Sequence, residues 1–150
     1  MTGVAKLLDS RTGARVVIAS DDHCPPHVHA GHKAEGWIVR LWFSFDSEAV
    51  GVMNITPTEH AVRQRQLNQM LDELMVNLRD ARKIWWEGKQ TTCLENKRMA
   101  RTEPGSWAVL NERRSGAKQV RSASYEAETG KTTVTFADGT EVVIDNGDAE

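Results

Sequence analysis

The sequence predicts an α+β protein, with an antiparallel sheet packed by one long amphipathic helix and followed by a small antiparallel β-meander. Three observations predict it. Short runs of β-branched and aromatic residues fill positions 4–55. Leu67, Leu71, Leu74, Leu78, Ala81 and Trp85 then recur at helical spacing as one apolar stripe. Finally, residues 120–144 alternate apolar and polar side chains around the turn pair Asp138-Gly139.

Val4–Leu8 and Arg15–Ala19 read as a hairpin around the turn-rich Asp9-Ser10-Arg11-Thr12-Gly13. Asp21 to Pro26 reads as a loop, because adjacent prolines cannot donate to a sheet ladder. His27–Ala30 re-enters the sheet before Gly31 breaks it. Trp37–Phe45 reads as a strand buried on much of both faces, with Trp37, Val39, Leu41, Phe43 and Phe45 on one side. Val50–Ile55 is the next strand.

Thr56-Pro57-Thr58-Glu59 has the form of a capping box, with proline at the first helical position. The helix is expected from Pro57 to about Glu87, with Gly88 as its terminator, roughly 45 Å at 1.5 Å per residue. Residues 89–118 read as a charged connector with one short strand at Trp107–Leu110. Val120–Ala127, Lys131–Phe136 and Thr140–Ile144 form the meander, and Asn146–Glu150 an acidic end. The expected organisation is therefore a sheet-plus-helix unit (1–88), a connector (89–118) and a meander unit (119–150).

Composition narrows the function classes. The 150 residues are 39% hydrophobic and 27% charged, as in a globular domain. No apolar run is long enough to span a membrane. Met1 is followed by a polar segment with no apolar h-region, which predicts a cytoplasmic protein; Cys24 and Cys93 could pair in principle, but free thiols are expected there. The net charge of −2 conceals a basic stretch at 97–121, seven basic residues against two acidic, beside an acidic C-terminal section. Lys97, Arg98, Arg101, Arg113, Arg114, Lys118 and Arg121 would contact nucleic acid if that is the partner; pairing with the acidic section is the simpler reading.

Chemistry concentrates at His23, His27, His29 and His32. On a strand, His27 and His29 project to one face, about 6.6 Å apart at 3.3 Å per residue. Two imidazoles so placed can grip a cation. His23, Cys24 or His32 would complete a nitrogen and sulfur set suited to zinc or another divalent metal. Alternatively His27 and His29 are a catalytic proton-transfer pair, with Lys33 or Arg40 holding a phosphate. The plainest alternative is structural, with histidines beside prolines bonding backbone carbonyls and locking a loop. The histidine-triad hydrolase and cupin spacings do not fit, since Gly31 stands where a third alternating histidine would and Glu35 lies too far on.

Pro25-Pro26-His27-Val28-His29-Ala30, followed by a glycine turn, a hairpin and a helix ending near Trp85-Trp86, resembles a family of small bacterial proteins of unknown function recognised by a Pro-Pro-His-x-His-Ala core. The resemblance covers residues 15–88. The C-terminal meander, with Val134 to Gly139, is similar to a second uncharacterised bacterial family. Members of the two are often encoded side by side in arrangements like toxin–antitoxin operons. The resemblance implies a fold and a genomic neighbourhood and brings no established activity or catalytic residues. The leading functional expectation is a non-enzymatic binding or regulatory protein of a mobile-element or toxin–antitoxin type, acting through a protein partner with the His27/His29 loop and the meander as contact surface, and open to self-association at its strand edges. The runner-up is a metal- or histidine-dependent enzyme acting on nucleic acid.

Overall fold

The computed structural model describes residues 3–103, 106–110 and 116–145. It overturns the expected architecture. Two five-stranded antiparallel sheets dominate, and the long helix is two short ones.

The first sheet is a meander of β1 (Val4–Asp9), β2 (Arg15–Ala19), β3 (His27–His32), β4 (Trp37–Trp42) and β5 (Gly51–Thr56), ordered as in the sequence. Its register pairs Val16 with Ala30, Val28 with Leu41, and Ala30 with Val39. These side chains share the core face and are all buried. Trp37, Phe43 and Phe45 are buried too, while Ile38 and Arg40 are exposed. The strand at 37–42 therefore buries one face rather than both. Gly31 does not end β3, because it still pairs with both Arg15 and Ile38.

The helices are α1 (Gln64–Val76) and α2 (Leu78–Lys89). Thr56 closes β5 instead of capping a helix, and Pro57 follows a cis peptide bond. The helix starts at Arg63, whose amide donates to the Gln66 side chain (3.0 Å). It breaks at Asn77, where the backbone leaves helical geometry (φ −109°, ψ 20°) and the side-chain amide donates to the Glu73 carbonyl (2.8 Å). Asparagine competes for backbone groups in this way and so favours helix ends. The apolar stripe survives the break: Leu67, Leu74, Leu78, Ala81 and Trp85 are all buried. Gly88 lies within α2, and the left-handed residue that ends it is Gln90 (φ 56°, ψ 34°).

The expected connector is instead part of the second sheet. β6 (Arg98–Glu103) and β7 (Ser106–Leu110) join β8 (Lys118–Glu126), β9 (Lys131–Phe136) and β10 (Glu141–Asp145) in the order β10-β9-β8-β6-β7. β6 was unreadable because its apolar residues are few, yet Met99 and Ala100 are buried. The acidic end at 146–150 lies outside the described residues. Phe45 meets Tyr125 edge to face at 5.1 Å, linking the sheets through one continuous core.

Arg82 is the core's buried charge. Its Nε donates to the Ser44 carbonyl (2.9 Å) and its Nη2 to the Ser47 carbonyl (2.6 Å), tying down the irregular chain after β4. Arg82→Met should cost about 2 kcal/mol, because it removes charge-assisted hydrogen bonds to two half-buried carbonyls. Urea denaturation of the variant measures this, and a loss below about 1 kcal/mol would show that the contacts are dispensable.

Glu73 fastens the β1–β2 turn to α1. Its carboxylate accepts from the Ser10 hydroxyl (2.6 Å), the Arg11 amide (2.9 Å) and the Gln69 side chain (3.0 Å). Burial raises its pKa, but the hydrogen bonds from Arg11, Ser10 and Gln69 together outweigh that and hold it below the ordinary 4.5. A depressed folded-state pKa gives stability that is present above about pH 4.5 and lost as the pH falls through the folded value. Glu73→Gln should therefore cost about 1–2 kcal/mol at pH 7 and progressively less below pH 4.5. Denaturation midpoints at pH 7 and pH 3 test this; an equal loss at both would remove the carboxylate from the account.

Candidate metal centre

β3 builds one side of the site. Val28 and Ala30 point into the core, so His27 and His29 alternate to the other side. Their ring centroids are 5.0 Å apart. The turn that precedes them sets His27, whose Nδ1 lies 2.8 Å from the Pro25 carbonyl. A carbonyl only accepts, so Nδ1 carries the proton and the neutral ring presents its Nε2 lone pair. Trp85 packs at 5.7 Å from the same ring, and His27 is only 5% exposed.

The other side is a loop residue that the sequence analysis passed over. Asp22 stands with a carboxylate oxygen 3.5 Å from His27 Nε2 and 2.9 Å from His29 Nε2. The Ala19 amide, donating to the same carboxylate (3.2 Å), helps to place it. Burial raises the Asp22 pKa; the His29 hydrogen bond and the proximity of both imidazoles outweigh that and leave it below the ordinary 3.8. Asp22 is thus a carboxylate at neutral pH. One ligand atom from each of Asp22, His27 and His29 lies within 4.8 Å of the others, and no other such group converges among the described residues.

The other candidate ligands stand elsewhere. Cys24 is not a free thiol, because it forms a disulfide with Cys93. The two lie 69 positions apart, so nothing local announces the pairing. α2 carries the chain back to the loop, where Lys89 Nζ donates to the Ala19 carbonyl (2.8 Å) and the two half-cystines meet with Cα atoms 5.6 Å apart. Cys24 therefore supplies no ligand. His23 is exposed, on a cleft of about 470 Å³ that opens beside Asp22 and is shared with Lys89. His32 turns away with the core face, accepts the Glu35 amide (3.0 Å) and packs on Trp37.

Of the basic residues proposed for nucleic acid, Arg113 and Arg114 lie outside the described residues. Lys118 is paired with Asp138 (3.2 Å). Asp138 itself is held at a pKa of about 2, chiefly by the Thr140 hydroxyl and amide. Alternation along β6 sends Arg98 and Arg101 to opposite faces. Lys97 and Arg121 are exposed. Among the described residues, no helix is long and apolar enough to cross a membrane.

The chain matches no family model, no curated protein and no solved structure. The site must therefore be read from its own chemistry. A neutral His27 turns a lone pair toward a carboxylate, two acceptors face to face, and His29 leans on the same carboxylate. His29 Nε2 donates to that carboxylate (2.9 and 3.0 Å), so only the His27 contact needs a further proton, or a cation that replaces both. Two imidazoles and one carboxylate are a known set for divalent transition metals, one that leaves coordination positions open. The Pro25 carbonyl behind His27 is the orienting contact that metal-bound histidines commonly make.

The disulfide closes a loop from Cys24 to Cys93, which in the chain-entropy picture is worth on the order of 4 kcal/mol. Cys24→Ser/Cys93→Ser should lose much of that in a denaturant titration. Wild-type protein in excess dithiothreitol should lose the same amount. No loss in either would mean that the fold holds the loop without the cross-link.

Proposed function

We propose that this chain is a metal-binding protein whose centre is Asp22, His27 and His29, of the open kind used in catalysis. One observation carries the reading: the Pro25 carbonyl fixes the His27 tautomer so that its Nε2 lone pair faces the Asp22 carboxylate. Bonds of 2.0–2.2 Å to a tetrahedral ion put ligand atoms roughly 3.4 Å apart. The 3.5 Å between His27 and Asp22 lies near that value, the 2.9 Å between His29 and Asp22 is a hydrogen bond that an ion would lengthen, and all three atoms lie within 4.8 Å of one another. Three protein ligands leave room for water or substrate, whereas structural zinc sites are closed by four. The histidines are those of the Pro-Pro-His-x-His-Ala core, so in this reading that motif is a ligand motif.

The contact reading comes second and has its own support. Met75 and Val76 sit side by side where α1 ends, 49% and 85% exposed. An apolar pair so placed suits a protein partner, as the toxin–antitoxin resemblance implies.

Calorimetric titration of tag-free protein with zinc and with manganese decides between them. The metal reading expects one site per chain and at least a hundredfold loss of affinity in His27→Ala or His29→Ala. Asp22→Asn should lose at least tenfold. Binding should also weaken on acidification, since imidazole must give up its proton to bind. No saturable binding by the wild type, or undiminished binding by both histidine variants, would sink this reading and leave the partner surface as the better one.

A further inference from the structure

The ladder around His29 has an unusual composition on its outer face. One row across β2, β3 and β4 reads Arg15, Gly31, Ile38, and the next reads Val17, His29, Arg40. Gly31 has no side chain, so the centre of this surface is a notch. A groove of about 330 Å³ lies over it, lined by Val4, Arg15, Val17, His29, Gly31 and Ile38. Three of these are aliphatic, and Val4 and Ile38 are 64% and 48% exposed. Arg15 and Arg40, both exposed, have no acidic or carbonyl partner among the described residues. Arg15 lines the groove, across from Asp9 of β1, which is itself paired with Lys6, while Arg40 stands beside His29 on the next row, outside the lining. The sheet thus offers an apolar floor with one guanidinium in its wall and a second beside a proposed metal ligand.

We propose that this groove binds a small organic anion with a short aliphatic body, and that Gly31 is the residue that admits it. The charge complementarity is direct. Guanidinium groups are weakly hydrated and recognise carboxylates and phosphates by paired hydrogen bonds. Val17 and Ile38 are suited to a hydrocarbon chain, and phosphodiester backbone has nothing to place there. His29 also lines the groove, so a ligand lying in it would sit beside the proposed centre. As a substrate site the inference rests on the metal reading; as a binding site it stands without it.

Gly31 supplies the sharpest test. It lies in ordinary strand conformation, and a Cβ added there would meet only Ile38 Cγ1, at 3.9 Å. Alanine is therefore accommodated by the fold, and valine, whose folding the melts below check, fills the notch further. Hexanoate is the probe, followed through the Ile38 methyl resonances and by calorimetry, with hexanol as the uncharged control and inorganic phosphate as the control without a chain. The expected result is saturable hexanoate binding, at least tenfold weaker in Arg15→Gln/Arg40→Gln, weaker in Gly31→Ala and lost in Gly31→Val. Hexanol and phosphate should each bind at least tenfold more weakly than hexanoate.

Thermal melts and the zinc titration, repeated on Gly31→Val, should match wild type. Hexanoate binding that persists in Gly31→Val, that hexanol equals, or that fails to saturate would overturn the inference. The two readings fail separately. Absent zinc binding with hexanoate affinity still sensitive to Gly31 removes the centre and keeps the groove, while normal zinc binding with no hexanoate response removes the groove alone.

Discussion

Val28 and Ala30 are completely buried, and the site depends on that burial. They sit on the central strand of a five-stranded sheet, with β2 on one side and β4 on the other. Side chains alternate strictly along a strand, so a slip of one residue would bring His27 and His29 inward and expose two apolar side chains. The register is thus held by the hydrophobic core, and the histidine geometry follows from it. Neither imidazole has to supply the energy that positions it. This is how a rigid element can carry polar groups in an arrangement they would not adopt alone.

Asp22 is positioned quite differently. It belongs to a loop, and the chain returns to that loop only after two helices. Lys89 on the Ala19 carbonyl and the bond from Cys24 to Cys93 join the end of α2 to it. The Ala19 amide then braces the carboxylate. Partial burial disfavours the ionised form, but the two imidazoles more than offset it, so a negative charge is kept where water is scarce. Such an arrangement suits a group that must meet a positive charge.

What was legible in the sequence was local. Alternation and turn residues placed the strands of the first sheet and of the final meander, and the pairing of His27 with His29 on one face followed from spacing alone. The apolar stripe from Leu67 to Trp85 was also visible, because the core does not register that the helix breaks. The break needed knowledge of what the Asn77 side chain would bond, and the false start at Thr56-Pro57 arose because the same residues suit a strand end. Asp22 carried no motif signal, and the Cys24–Cys93 pairing, possible from the sequence, is decided only by where α2 delivers the chain. β6 escaped because its pairing partners, and not its own apolar content, make it a strand.

The three ligands therefore differ in freedom. The imidazoles stand on β3, which pairs with β4 along its whole length and with β2 from His29 to Gly31. The carboxylate moves with a loop whose tether, Cys24, falls between Asp22 and His27 in the chain. Cys24 is exposed, so the tether is within reach of thiols in solution. Without the cross-link, the Ala19 amide, the Lys89 contact and the His29 hydrogen bond would be what holds the acid opposite the histidine pair. A group with two members on a strand and one on a loop is complete only when the loop member is in place. In this fold that condition is met by the return of α2, and by a contact that lies outside the site itself.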